Sequence, residues 1–455
     1  MSPSKIHYEA PRVAAKPGET VVTSTCAHNC GGRCAVNAHV RDGRIVKIST
    51  DPRRWTPEMP PLHACVRGFG QLERVNHPDR LMHPLRRTGP RGSGQFQRVS
   101  WDDALDEVAR EMRRIRDTYG PAAILDCSRT GSLSTLHGRG VSQRFINMFG
   151  GCTELWSNLS AEAEIFAVKQ TYGAKAEYKS AGREPIDYVN SRLIVMWGWS
   201  PGDGTFGTGT MKQAVAPMGE CRNDFDICTE LARRLGIAGY NDKTEDEWLR
   251  ELTGGVIDDF DTFRERGLAR LPAPDDAVAF AREIRDPERH PFSTPSGKIE
   301  IYSMTLAARP DPYGLGAIPP IPMWIEDEID ARYPLRLVTP KSRARTHSIH
   351  DNQPILSRAD ADEVWINTAD AAARGIVDGQ RVRVFNARGT THLPARVTDR
   401  IAPGVVSIKE GAWFTPDAAG ADTRGCANVL IADRTSPAGA APFNSCFVDI
   451  APALP

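Results

Sequence analysis

Several segments between residues 100 and 240 carry hydrophobic side chains at intervals of three and four, the period of an amphipathic helix. The clearest case begins after Ser100, where Asp103 completes a capping-box-like start. The predicted elements that follow are a strand at Ala122–Cys127, helices at Val141–Phe149 and after Ser160, a buried strand at Arg192–Trp199, and a helix at Asp224–Leu235 that ends at Gly236. This alternation of helices and strands indicates a parallel α/β layer.

After residue 330 the pattern changes to short runs that are typical of strands. The predicted strands are Leu335–Pro340, Val382–Phe385, His392–Val397, Gly404–Ile408 and Phe447–Ile450. One helix is predicted at Ala369–Arg374, with Thr368 as its cap and Gly375 as its stop. Many short strands with few helices indicate a compact β-barrel-like domain.

The first part of the chain is rich in loops. Val21–Thr25 predicts a strand, and His39–Ile48 predicts a hairpin around Asp42-Gly43. We therefore predict a multi-domain α/β chain with four regions. They are a small module at 1–85, an α/β region at 86–213, its remainder with a connector at 214–330, and the barrel-like domain at 331–455.

Charge and hydropathy narrow the class of protein. Lys and Arg together number 57, and Asp and Glu together also number 57, so the chain has no excess positive charge. Proteins that bind nucleic acids or anionic membranes rely on such an excess. No apolar run approaches the roughly 20 residues that span a bilayer. Because the first twenty residues contain neither an apolar signal core nor a twin arginine, we expect a cytoplasmic protein without direct membrane insertion.

Four cysteines provide the first indication of chemistry. Cys26, Cys30 and Cys34 form a C-x3-C-x3-C cluster, and Cys65 follows after thirty further residues. Cysteine clusters in a cytosolic chain indicate metal or redox chemistry, since disulfides are rare there. Four thiolates are the usual ligands of a [4Fe–4S] cluster, whereas zinc sites favour close pairs at both ends. The spacing favours iron–sulfur and leaves zinc, or no metal, as alternatives.

The surroundings of these cysteines resemble a known family. The segments are Cys26-Ala-His-Asn-Cys30-Gly-Gly-Arg-Cys34 and Ala64-Cys65-Val66-Arg67-Gly68, with Asn76-His77-Pro78-Asp79-Arg80-Leu81, Trp197-Gly198-Trp199-Ser200-Pro201, Arg345-Thr346-His347-Ser348 and Gly425-Cys426-Ala427-Asn428 further on. Together they resemble the molybdopterin oxidoreductases of the dimethyl sulfoxide reductase family, in particular the catalytic subunits that contain an iron–sulfur cluster.

The resemblance implies two cofactors: a [4Fe–4S] cluster held by Cys26, Cys30, Cys34 and Cys65, and molybdenum bis(molybdopterin guanine dinucleotide). It implies that the Ser160 side chain is a further ligand of molybdenum; the alternative is that Ser160 only caps the following helix. Arg67 matches the position of a cation between cluster and pterin. Without the resemblance, Arg67 would be judged an ordinary surface charge.

The resemblance also implies residues that contact the dinucleotides. They are Trp197, Gly198, Ser200 and Pro201 around the end of the predicted strand Arg192–Trp199, Arg345, Thr346, His347 and Ser348 in a later loop, Asn367 and Asp370, which would bind guanine, and Asn428 and Asn444. Each could instead be a polar loop residue or a helix cap. Gly202, Gly204 and Gly207 spell G-x-G-x-x-G, but Thr205–Thr210 is a poor helix start, and we do not predict NAD.

The implied function is two-electron reduction of an S- or N-oxide in anaerobic respiration, with electrons supplied through the cluster by a partner iron–sulfur subunit. The match breaks at Gln213-Ala214, where family members continue with a long α/β stretch that this chain lacks. An alternative follows from that gap. The chain would then be a non-catalytic remnant or an electron-transfer module that binds a cluster and no molybdenum.

Overall fold

The computed structural model describes residues 13–26, 34–54, 56, 61, 63–128, 136–156, 159, 161–173, 192–195, 212–266, 280–327 and 329–453. The chain divides into two compact units. Unit 1 spans residues 1–156 and 185–272, and unit 2 spans residues 157–184 and 273–455. The four domain bounds drawn from the sequence stay a prediction.

The helices and strands are labelled in chain order within the described residues. The helices are α1 Val66–Phe69, α2 Gln71–Val75, α3 Trp101–Tyr119, α4 Arg139–Phe149, α5 Glu162–Tyr172, α6 Asp224–Leu235, α7 Glu245–Thr253, α8 Phe260–Arg266, α9 Ala281–Arg285, α10 Met304–Ala308, α11 Pro354–Ala359 and α12 Thr368–Ala373. The strands are β1 Thr20–Thr25, β2 Ala35–Arg41, β3 Arg44–Ser49, β4 Leu85–Arg87, β5 Phe96–Arg98, β6 Leu125–Asp126, β7 Thr153–Glu154, β8 Leu335–Val338, β9 Val364–Ile366, β10 Arg381–Phe385, β11 Thr390–Val397, β12 Val405–Ile408 and β13 Cys446–Pro452. Within this described part of the chain, no helix is both long and apolar enough to cross a membrane.

A three-stranded antiparallel sheet, β1-β2-β3, opens unit 1. Asp42 and Gly43 form the turn between β2 and β3 with positive φ angles of 50° and 71°, which confirms the predicted hairpin. Val36, Ala38 and Ile45 form a small core on this sheet. The same core includes the side chains of two of the clustered cysteines.

Helices α3, α4 and α6 form the main core of unit 1, as their apolar periodicity predicts. The Ser100 side chain caps α3 by accepting a hydrogen bond from the Asp103 N–H at 3.0 Å. Helix α6 ends at Gly236, whose φ of 72° is left-handed. These three helices and their ends confirm the sequence prediction.

One predicted strand is shorter than expected, and the described residues of another form no strand. Ala122–Cys127 forms a 3-10 turn at Pro121–Ala123 and then only the two residues of β6, which pair in parallel with β7. In Arg192–Trp199, the described residues Leu193 and Val195 lie in irregular structure with 79% and 69% of their surface exposed. An apolar run becomes a central parallel strand only where other strands and covering helices bury it.

Strands β8 to β13 of unit 2 close into a barrel in the order β10-β11-β9-β12-β8-β13. The pairs β11–β9 and β12–β8 are parallel and the others antiparallel. The closed barrel confirms the predicted C-terminal architecture. Two details differ: β9 was missed, and the cap of α12 is Asn367 and not Thr368, since the Asn367 Oδ1 accepts from the Ala369 N–H at 2.9 Å.

Candidate functional site

Three of the four clustered cysteines lie at the ends of elements in unit 1. Cys26 follows β1, Cys34 precedes β2, and Cys65 is the N-cap of α1. The N–H of Cys26 donates to the Cys34 carbonyl at 2.8 Å, so the pairing of β1 with β2 holds these two residues side by side. Cys26 and Cys34 are buried, and Cys65 is half-buried. Cys30 lies outside the described residues.

The turn that follows Cys65 brings hydrogen-bond donors to the sulfur atoms. Arg67 Nε donates to Cys65 Sγ at 3.3 Å, and Gln71 Nε2 donates to Cys26 Sγ at 3.8 Å. Gly68 permits this close packing, because a Cβ at that position would lie 2.7 Å from a neighbouring side chain and 3.8 Å from Cys26 Sγ. The segment 67–71 thus places a cation and an amide donor beside two of the sulfur atoms.

This donor set fits an iron–sulfur cluster, since thiolates are its ligands and hydrogen bonds to the sulfurs tune it. Over the ranges described above, which omit Cys30, no three potential ligands are placed to hold a metal ion. The full set of Cys26, Cys30, Cys34 and Cys65 therefore stays a prediction. Arg67 lies next to Cys65 Sγ, and its role between cluster and pterin stays a prediction.

A cleft of about 540 Å³ lies at one end of the barrel in unit 2. It is lined by Leu159, Thr339, His347, Ser348, Glu410, Gly411, Ala412, Cys426, Ala427, Asn428, Ile431, Ala432, Asp433, Arg434, Thr435, Ala441, Pro442 and Phe443. The structure therefore brings together three predicted cofactor residues, His347, Ser348 and Asn428. Imidazole, hydroxyl, amide and guanidinium groups around a deep cleft fit a phosphorylated dinucleotide.

The turn that carries His347 and Ser348 depends on a glycine. Gly411 has a φ of +94°, and a Cβ there would lie 1.8 Å from the His347 carbonyl oxygen. His347 itself has a positive φ of 51°. The indole Nε1 of Trp413 donates to the Ser348 carbonyl at 2.8 Å and fixes the turn from the other side. The 347–348 backbone is thus held against the segment that follows β12.

Arg345 lies behind this turn and does not line the cleft. Its guanidinium donates to Asp351 at 3.0 Å and to both oxygens of Asp362 at 2.7 and 2.8 Å, and it is 4% exposed. Burial opposes its charge, but Asp362 and Asp351 outweigh that effect and raise the pKa of Arg345. Thr346 is also buried and outside the cleft lining, so the structure places both residues as supports of the His347 turn.

A charged group at the edge of the cleft was missed by the sequence analysis. Glu410 accepts from Lys341 Nζ at 2.6 Å, and its Oε1 lies 3.5 Å from His347 Nδ1. Burial raises the pKa of Glu410, but His347 and Lys341 outweigh it and lower that pKa overall. The only sequence signal for Glu410 is its position just after the apolar strand β12, where functional loop residues are common.

Asp422 holds another wall of the cleft. It is fully buried and accepts hydrogen bonds from the N–H groups of Gly425 and Cys426 at 2.7 and 2.8 Å, and from the Thr391 hydroxyl at 2.6 Å. These bonds anchor the segment that continues into Asn428. Burial alone would raise the pKa of Asp422, but the hydrogen bonds outweigh it and lower that pKa.

The remaining predicted residues of unit 2 make contacts within the barrel domain. Asn444 Oδ1 accepts from the N–H of Thr339, a residue of the cleft, at 2.9 Å. Asn367 Nδ2 donates to the Ile401 carbonyl at 2.7 Å, in addition to its capping bond. Asp370 Oδ2 accepts from the Gly404 N–H at 2.7 Å. Neither Asn367 nor Asp370 lines the cleft, and their contact with guanine stays a prediction.

Five predicted site residues besides Cys30 lie outside the described residues: Ser160, Trp197, Gly198, Ser200 and Pro201. The residue before Ser160, Leu159, lines the cleft. Helix α5 has its N-cap at Ala161, without a side-chain capping bond. Both roles considered for Ser160, molybdenum ligand and helix cap, stay predictions.

Three family models match the chain in succession. The "Molybdopterin oxidoreductase Fe4S4 domain" matches residues 19–77, "Molybdopterin oxidoreductase" matches 80–205, and "Molydopterin dinucleotide binding domain" matches 335–447. The dimethyl sulfoxide reductase DmsA of Escherichia coli is 38% identical over 243 residues, which cover 50% of this chain and 30% of that protein. In its matched residues the chain is thus similar to the dimethyl sulfoxide reductase family of molybdopterin oxidoreductases.

Other proteins that this chain resembles are also oxide reductases by name. The biotin sulfoxide reductase of Cereibacter sphaeroides is 38% identical over 50% of this chain and 33% of its own length. The trimethylamine-N-oxide reductase of Haemophilus influenzae is 36% identical over 53% of this chain and 32% of its own length. The chain thus spans about a third of the length of the curated relatives it matches.

A solved structure has a similar fold. The acetylene hydratase from Pelobacter acetylenicus superimposes with a TM-score of 0.69 over 95% of this chain and 100% of that chain, at 15% identity. The matched domains also confirm the two predicted cofactors, a [4Fe–4S] cluster and molybdenum bis(molybdopterin guanine dinucleotide).

Proposed function

We propose that the chain is the catalytic part of a reductase of S- or N-oxides. The overall reaction takes an oxide, two protons and two electrons to the reduced sulfide or amine and one water. Bound molybdenum supplies the two-electron oxygen-transfer chemistry, and the protein supplies binding, orientation and electrostatics. The names of the curated relatives support this class of substrate.

The barrel cleft is the observation that carries this proposal. It combines His347, Ser348 and Asn428, and it is also lined by the residue next to the proposed ligand Ser160. Arg345 and Asp422 do not touch the cleft but hold its walls through buried charges. A site that is supported in this way keeps its donors in place before a cofactor binds.

The electron path and the partner belong to the same proposal. We call the cluster cysteines of unit 1 and the donors beside their sulfur atoms the thiol module. Electrons would enter at this thiol module, where Arg67 contacts Cys65 Sγ. A separate iron–sulfur subunit would supply them, in the cytoplasm. Nothing in the charge balance of 57 basic and 57 acidic residues favours a nucleic acid as a partner.

A second candidate function is an electron-transfer module that binds the cluster without molybdenum. The exposed apolar run at Leu193 and Val195 favours it, because the described residues there lack the cover of a complete parallel layer. The short β6–β7 pair favours it too, since only two residues of each strand are paired.

The experiment that separates these functions is anaerobic oxidation of a reduced viologen dye by sulfoxides and N-oxides. The proposal predicts oxide-dependent turnover that falls at least tenfold in an Asn428→Ala variant. An Asn147→Ala variant, altered at an exposed position of α4 that does not line the cleft, is the matched control and should retain turnover. Cluster-bearing protein that never oxidises the dye with any oxide would favour the electron-transfer module.

A further inference from the structure

The side chain of Gln71 bridges a cluster cysteine and a cation. Gln71 is the first residue of α2, and its Nε2 lies 3.8 Å from Cys26 Sγ. Its Oε1 accepts a hydrogen bond from Arg74 Nη1 at 3.4 Å, one helical turn further on. The three side chains thus form a chain of contacts from cation to amide to sulfur.

Arg74 fixes which end of the amide faces the sulfur. A guanidinium can only donate hydrogen bonds, so the amide oxygen of Gln71 must face Arg74. The amide N–H₂ is then directed to Cys26 Sγ, to which it donates. Because the pairing of β1 with β2 fixes Cys26 and α2 fixes both Gln71 and Arg74, this orientation is set by the fold.

An N–H donor at a cluster sulfur stabilises the reduced cluster more than the oxidised one. Reduction adds one electron from the electron donor and breaks no bond, and it increases the negative charge that the sulfurs share. A hydrogen bond to a more negative acceptor is stronger. The positive charge of Arg74 acts in the same direction, both through the amide and through space. Hydrogen bonds to sulfur and net charge are established determinants of cluster potential.

We propose that Gln71, oriented by Arg74, is a positioning residue that raises the reduction potential of the [4Fe–4S] cluster through the sulfur of Cys26. It acts on a different cysteine from Arg67, which donates to Cys65. The inference rests on the cluster of the family and not on the oxide substrate, so it stands or fails separately from the reductase activity.

The test is a redox titration of the cluster, followed by electron paramagnetic resonance, on anaerobically purified full-length protein. In Gln71→Leu, which removes the donor, we expect a more negative midpoint potential at unchanged iron content. The reduced-to-oxidised ratio at a fixed potential should fall roughly tenfold, or about 59 mV for a one-electron step. Arg74→Met should shift the potential in the same direction. The double variant should shift it less than the sum of the two single changes, since Arg74 acts partly through Gln71.

Two further variants keep the result decisive. Gln71→Glu preserves size but replaces the donor by a negative charge, so the potential should become at least as negative as in Gln71→Leu. Arg44→Met removes an exposed cation of the β2–β3 hairpin and should leave the potential unchanged. A wild-type potential in Gln71→Leu or Gln71→Glu with iron retained would overturn the proposal. If both variants lose iron, a wild-type potential in Arg74→Met would overturn it as well.

Discussion

Replacing Gly411 by alanine should disrupt the turn that carries His347 and Ser348 into the cleft. With φ at +94°, a non-glycine residue there costs about 1–2 kcal/mol of folding free energy. The new Cβ would also lie 1.8 Å from the His347 carbonyl oxygen, so the backbone must move. Such overpacking adds about 1–3 kcal/mol. We therefore expect a total loss of about 2–5 kcal/mol in the free energy of unfolding.

Gly420 provides a matched control for this prediction. Its φ is +84°, but a Cβ there would meet nothing within 4 Å. Gly420→Ala should therefore show only the conformational cost, about 1–2 kcal/mol. Urea unfolding, followed by tryptophan fluorescence and circular dichroism, measures both variants. Gly411→Ala should in addition retain less molybdopterin after gel filtration. Equal stability of the two variants would refute the argument that Gly411 is needed for close approach to the His347 backbone.

Three further predictions concern Asp422 and Arg345, which support the walls of the cleft, and the cluster cysteine Cys65. Asp422→Asn should cost about 2–4 kcal/mol, measured by urea unfolding, because a buried acceptor of several N–H bonds loses its charge. The pKa of Asp422 is lowered in the folded protein, so its contribution to stability is complete above about pH 5 and is lost as the pH falls through that native pKa. The Asp422→Asn variant should therefore lose less stability in acid than the wild-type protein does. Arg345→Met should cost about 3–5 kcal/mol in the same assay, since Asp362 and Asp351 lose the buried guanidinium, although Asp351 also contacts Arg424. A cost below about 1 kcal/mol would contradict the support role. Cys65→Ser should lower the iron content, and wild-type iron in that variant would remove Cys65 from the ligand set.

Several helices and one hairpin could be predicted because the residues that specify each of them lie within the element or at its ends. Helices α3 and α6 combine apolar periodicity with caps at Ser100 and a stop at Gly236, and the structure has both. The β2–β3 hairpin follows from Asp42-Gly43 alone. Strand β9 was missed because it has three residues, and its burial comes from parallel pairing with β11, more than twenty residues away.

Part of the site could also be predicted, because its signal lies within one short stretch of sequence. A basic, hydroxyl-bearing loop at 345–348 indicates an anion site, and His347 and Ser348 do line the cleft. The sequence could not show that Arg345 is neutralised by Asp362, because that ion pair forms only once the barrel closes. It also could not show that the apolar residue Leu193 lies exposed, since the strands that bury such runs in a complete α/β layer are remote in sequence.

The most direct test of the whole account is the iron and molybdenum content of anaerobically purified full-length chain. The account predicts about four irons per chain, together with molybdenum in an amount equal to that of the chain. That result would show that the thiol module and the barrel cleft hold both cofactors of the family. Iron at that level without molybdenum would contradict the proposal that this chain is a catalytic reductase.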